Sequence, residues 1–111
     1  MPLLFSYGTL QQADVQLSTF GRQLTGDSDA LSRFEQSSVK IGDPRVVAAT
    51  GMTHYANVRF TGREESRVPG MVFEITDAEL ASADEYEATA FYERIAARLD
   101  SGREAWVYLF R

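Results

Sequence analysis

The chain opens on an apolar run in which Leu3, Phe5 and Tyr7 alternate with Leu4, Ser6 and Gly8. Both sets are largely apolar, so the pattern predicts a strand over Leu3–Ser6 that is covered on both faces. Asp14 is placed to cap a short helix over residues 15–20, and Gly21 to stop it. Residues 22–33 mix Gly, Asp, Ser and Arg and read as a connecting segment with a bent turn. Residues 34–41 read as a strand ended by Gly42-Asp43-Pro44, and residues 45–50 as another, centred on Val46 and Val47. The pattern is weakest over residues 51–66, where 57–61 reads as a strand and Gly62-Arg63-Glu64-Glu65-Ser66 as a charged surface turn. Residues 68–75 form a strand pattern with Met71, Phe73 and Ile75 on one face. Pro69-Gly70 near its start suggests an edge position or a bulge, because proline cannot donate to a ladder. Thr76-Asp77-Ala78-Glu79 fits a capping box and opens a helix over Asp77–Ala88. Residues 92–100 and 103–110 read as two strands joined at Ser101-Gly102, a hairpin signal.

Many strands with two short helices and no regular βαβ alternation predict an α+β domain with a mixed or mostly antiparallel sheet. Such a sheet is expected to curl into a small β-barrel, which removes exposed edges. At 111 residues the chain is one domain, 1–111, with no internal repeat, low-complexity stretch or linker. Charge narrows the partners: 16 acidic against 11 basic residues, without a basic cluster, disfavour nucleic acid and anionic membrane. No cysteine is present, which excludes disulfides, thiolate metal sites and a cysteine nucleophile. No apolar run reaches spanning length, and Pro2 leads into a strand instead of a basic leader, so a soluble cytoplasmic protein is expected.

Two features carry candidate chemistry. Tyr7-Gly8-Thr9-Leu10 closes the first strand, and a glycine there lets backbone N–H groups approach a ligand without Cβ interference. Exposed donors at a strand end make an oxyanion cradle; the plainer account of the same glycine is a turn. At 100° per residue, Leu80, Ala83 and Glu87 fall within about 60° of arc on the second helix. Leu80 marks the buried face, so Glu87 lies on the inward stripe, with Asp84 close to it, Glu79 on its flank and Glu85 well away. The plainer account of Glu87 is a solvated carboxylate at a helix end, or a partner for Arg94. The small Ala83 leaves room for a ligand beside Glu87, and burial would lift its pKa toward the range useful for moving protons. His54 is the only histidine and has no serine–aspartate pattern around it, so neither a triad nor a zinc site is supported. The Asp84-Glu85-Tyr86-Glu87 cluster lacks the ligand-rich loop that a hard cation needs. Trp106, Tyr108 and Phe110 alternate on one strand face and read as core, with Tyr108 able to present its hydroxyl to a cavity.

Taken in order, Tyr7-Gly8-Thr9-Leu10, Val68-Pro69-Gly70-Met71-Val72-Phe73-Glu74-Ile75, Leu80, Asp84-Glu85-Tyr86-Glu87, Tyr92-Glu93-Arg94 and Trp106-Val107-Tyr108 resemble the gamma-glutamylcyclotransferase-like family. The resemblance covers the first dozen residues and 68–110, and is thin between 21 and 60. It implies a compact mixed-sheet barrel with a cavity between the N-terminal loop and the glutamate-bearing helix. It also implies release of 5-oxoproline from a gamma-glutamyl amine or peptide, without metal or cofactor. On this resemblance Glu87 is the acid/base. Tyr7, Gly8, Thr9 and Leu10 form the ligand-holding loop, and Tyr92 and Tyr108 complete the site. Ala83 stands where a larger aliphatic is common, and Ala88 where glycine often follows the glutamate; both would reshape the pocket. The expected partner is a small gamma-glutamyl substrate, with no nucleic acid and no membrane; no oligomeric state is implied. A binding protein using the same cavity, or a gamma-glutamyl amide hydrolase in which water replaces the α-amine, are the rival readings.

Overall fold

The computed structural model describes residues 1–110; Arg111, the last residue of the expected domain, lies outside them. Strand β1 (Leu3–Ser6) leads through a 3-10 turn (Thr9–Gln11) into helix α1 (Ala13–Phe20). Then come β2 (Gly26–Ser32), β3 (Phe34–Lys40), α2 (Pro44–Thr50), β4 (His54–Phe60) and β5 (Arg67–Glu74). The chain finishes with α3 (Asp77–Ala88), β6 (Tyr92–Arg98) and β7 (Glu104–Phe110). Five strands form one mixed sheet in the order β2-β5-β1-β7-β6, and β3-β4 form a separate two-stranded ribbon. Only β1 and β7 run parallel; the other ladders are antiparallel. The mixed α+β architecture is as expected, but the two sheets do not join into one closed ladder.

Strand β1 explains why the sheet must be covered twice. Leu4 packs on one face with Leu10, Phe73, Ile75, Leu80, Ala83 and Tyr108. Phe5 packs on the other with Leu31, Phe34, Val58, Val68, Val72 and Val107. Helix α3 therefore covers one side and the ribbon the other, and β1 has almost no solvent-facing side chain. Leu4 is 0% exposed, and its truncation to alanine costs about 2–5 kcal/mol. The ribbon is fastened to β7 from its middle by Asn57, whose amide donates to the Phe110 carbonyl at 3.2 Å and accepts from the Phe110 N–H at 3.0 Å.

Four sequence expectations change. The 22–33 connection contains β2, whose seven residues pair continuously with β5. Residues 45–50 are not a strand but most of α2: Asp43 accepts from the Arg45 N–H, Pro44 sits at the first helical position and Gly51 closes the helix at φ 72. Those three local signals outweigh the strand propensity of Val46 and Val47. Strand β5 is interior, with neither an edge position nor a bulge. Its proline is tolerated because β1 pairing stops at Ser6↔Met71, leaving no β1 residue opposite Pro69. Gly70 has a packing reason instead, since a Cβ there would lie 2.3 Å from the Ser6 carbonyl oxygen. Finally, α1 starts at Ala13 without a side-chain cap, so Asp14 lies inside its first turn. Among the described residues no helix is long and apolar enough to cross a membrane.

Candidate active site

Helix α3 spans the residues its capping box predicts. Thr76 Oγ1 accepts the Glu79 N–H at 3.1 Å, and Glu79 Oε1 accepts the Thr76 N–H at 2.9 Å. With that register Leu80 and Ala83 are buried, and the side chain of Glu87 follows them inward. At the other end the chain turns sharply, with the Ala90 and Phe91 N–H groups bonded to Glu87 and Ala88 carbonyls. Phe91 adopts φ 62 there, a left-handed conformation that costs a non-glycine residue about 1–2 kcal/mol. The turn brings Tyr92 back toward Glu87.

The N-terminal loop arrives from the opposite wall. Gln16, 4% exposed, donates to the Leu10 carbonyl at 2.9 Å and accepts from the Leu24 N–H at 2.9 Å, fixing the loop against α1. Thr9 Oγ1 and the Tyr86 hydroxyl share a 2.8 Å hydrogen bond, which ties the loop to α3. The Tyr7 hydroxyl donates to the Tyr108 carbonyl at 2.6 Å, tying it also to β7. Glycine at its N-cap gives the 3-10 turn no side-chain cap, while the Gly8 N–H itself donates to Ser6 Oγ at 3.3 Å. Gly8 has φ −133, and a Cβ built on it would meet nothing within 4 Å.

Between the loop and α3 lies a cavity of about 290 Å³. Tyr7, Gly8, Thr9, Leu10, Glu87, Tyr92 and Tyr108 all border it, so the residues singled out in the sequence share one site. Glu87 is half-buried and has no hydrogen-bond or ion-pair partner among the described residues; burial alone pushes its pKa up to about 7. Arg94, the partner expected on the plainer account, instead binds Asp84 at 2.9 Å and lies 4.3 Å over the Trp106 ring. Tyr108 turns its hydroxyl to Asp84 at 2.7 Å and shows the cavity its ring. The Tyr92 hydroxyl donates to the Ala56 carbonyl; burial, then the nearby Glu87 and Tyr55, pushes its pKa up to about 12. Tyr7 is likewise raised, first by burial and then by Tyr92 and Glu87. These phenols stay protonated at neutral pH, which leaves Glu87 as the group able to exchange a proton. Among the described residues no three His, Cys, Asp or Glu side chains gather as metal ligands.

The sequence of the family "Gamma-glutamyl cyclotransferase, AIG2-like" matches residues 4–111. The chain belongs to that family. No curated protein matches it. The fold is shared with a protein from Arabidopsis thaliana, at 21% identity and TM-score 0.73 over 98% of this chain and 61% of that one. A gamma-glutamyl cyclotransferase superposes with TM-score 0.73 at 17% identity, over 99% of this chain and 66% of its own. An uncharacterized protein from Homo sapiens does so with TM-score 0.72 at 19% identity, over 98% and 66%. This chain thus spans about three-fifths of the length of the Arabidopsis relative.

Part of the lining carries no signal in the sequence. Met52, Tyr55 and Ala56 reach the cavity from β4 and the segment before it, inside the region with the weakest pattern. No local signal marks them, because only the ribbon's fold-back brings them there. Tyr86 also lines the site. Its position beside Glu87 was the available hint.

Proposed function

We propose that the protein is a cyclotransferase that releases 5-oxoproline from a gamma-glutamyl amine or peptide, with Glu87 as its acid/base. The observation that carries this reading is the unpaired Glu87 carboxylate, lifted to about 7 by burial and facing the same cavity as the loop of residues 7–10. The substrate's α-ammonium gives a proton to Glu87, and the freed amine attacks the γ-carbonyl carbon to close a five-membered lactam. The C–N bond to the departing amine then breaks as Glu87 returns the proton to that nitrogen, and the lactam nitrogen gives its second extra proton to the released amine, which leaves as an ammonium. The reaction is intramolecular, so holding the chain folded supplies much of the acceleration. Charge gathers on the γ-oxygen in between, where the Thr9 and Leu10 N–H groups that open the 3-10 turn are suited to stabilise it. A carboxylate near 7 is matched to both proton transfers at neutral pH.

Product analysis tests the reading. Incubation with a panel of gamma-glutamyl amines should yield 5-oxoproline and free amine in equal amounts. Free glutamate in place of 5-oxoproline would make the protein a hydrolase, and saturable binding without turnover would make it a binding protein.

A further inference from the structure

We infer that the part of the cavity walled by Met52, Tyr55, Ala56 and Tyr92 receives the amine half of the substrate, and that this amine has an apolar or aromatic, uncharged body. The inference rests on the gamma-glutamyl reading above. Glu87 and the loop of residues 7–10 hold the end of the cavity where the reacting atoms must lie. Of the rest of the lining, Tyr55 and Ala56 come from the ribbon, Met52 from the segment before β4 and Tyr92 from β6, beside Thr89 and Ala90 at the end of α3. The part walled by Met52, Tyr55, Ala56 and Tyr92 holds two side-chain hydroxyls, and the Tyr92 hydroxyl is already bonded to the Ala56 carbonyl, which leaves that of Tyr55. The Tyr55 and Tyr92 rings meet edge to face at 6.1 Å and 86°, so they present fixed aromatic surface.

Charge decides between amine classes. No Lys, Arg or His lines the cavity among the described residues, and Glu87 carries its single carboxyl group. Arg94, on the same strand as Tyr92, is engaged by Asp84 and stacked on Trp106. The carboxylate of a released amino acid or peptide would lie here desolvated, without a counterion, and repelled by Glu87. A distal ammonium would lose its hydration for aromatic faces alone. An apolar body loses nothing on entry and buries area against Tyr55 and Met52. The volume of about 290 Å³ is at the small end for ligand sites, which limits the amine to a compact group such as benzylamine.

The test uses glutaramates that lack the α-amine and so cannot cyclise, carrying N-benzyl, N-carboxymethyl or N-(4-aminobutyl) groups. Calorimetric titration of the whole protein should show the N-benzyl compound binding about tenfold or more tighter than either charged one. Met52→Arg, at a position 45% exposed, adds a cation to the rim and should cut that preference over N-carboxymethyl about tenfold. Should that variant fold poorly, Tyr55→Ala should abolish the N-benzyl advantage by removing the aromatic wall. Equal binding of all three, tighter binding of a charged one, no binding at all, or an unmoved preference in the variants would each overturn the subsite. Turnover of the matching gamma-glutamyl compounds is scored separately. Failure to form 5-oxoproline from any of them overturns the cyclotransferase reading, while the binding order still judges the subsite.

Discussion

The two ends of α3 hold glutamates in opposite electrostatic states. At the start, Glu79 closes the capping box and takes two hydrogen bonds from Arg22, at 2.7 and 2.9 Å. Arg22 holds its pKa down to about 2. Two turns later, Glu87 has no such partner, and burial lifts it to about 7. One helix thus carries a structural carboxylate that stays ionised and another that can gain and lose a proton near neutrality. The difference comes from surroundings: the cation that could have quenched Glu87, Arg94, is diverted to Asp84 at 2.9 Å. A functional carboxylate is made as much by what is kept away from it as by what touches it.

Glu87→Gln should break the contrast most severely. It keeps the size and hydrogen-bonding capacity but cannot cycle a proton, so turnover should fall by about two to four orders of magnitude. Stability should move the other way. A pKa raised from 4.5 to about 7 means that ionising Glu87 weakens the fold as pH rises through that interval. The variant should therefore melt at or above the wild-type temperature at pH 8 and match it below pH 4.5. Lowered stability with near wild-type turnover would end the catalytic assignment. In the wild type, kcat/KM should fall about tenfold per pH unit below pH 7, as the base becomes protonated.

Gly8→Ala tests the loop that faces Glu87. A methyl added there would meet no protein atom within 4 Å. Melting temperature should hold while KM rises, by about tenfold if the methyl takes substrate space. Normal kinetics would reduce the glycine to a turn residue. Arg22→Ala sharpens the contrast from the other end and should leave turnover unchanged. It should lower the melting temperature by roughly 2–4 °C at pH 7, the scale of a well-formed surface pair in a chain of this size. Because the Glu79 pKa is depressed, the pair stabilises fully above pH 4.5 and is lost as pH falls toward 2, so the difference should close over that range.

What could be read in advance follows how local the cause is. The bounds of α3 were legible because Thr76 and Glu79 cap each other within one turn, and the direction of Glu87 follows from its spacing to Leu80 and Ala83. The loop, Tyr92 and Tyr108 could be named from the resemblance; that they share one cavity is a matter of tertiary packing. Strand β2 was illegible because Gly26, Asp27, Ser28 and Asp29 have poor strand propensity. It is held by its ladder to β5, by the buried Leu31, and by Asp29, which accepts from the Ser101 hydroxyl at 2.6 Å. Helix α2 carries conflicting signals: Asp43-Pro44 and Gly51 mark its ends, while Val46 and Val47 favour a strand. The Met52, Tyr55 and Ala56 wall depends on β3 pairing with β4 across some twenty residues, which periodicity does not encode.

Carbon-detected NMR titration of the glutamate side chains compares Glu79 and Glu87 on the same helix in one sample. The Glu87 carboxyl should titrate near 7 and the Glu79 carboxyl near 2. A non-cyclising gamma-glutamyl analogue should perturb the first and leave the second in place. A Glu87 midpoint at the ordinary 4.5, unmoved by the analogue, would contradict the acid/base role of Glu87.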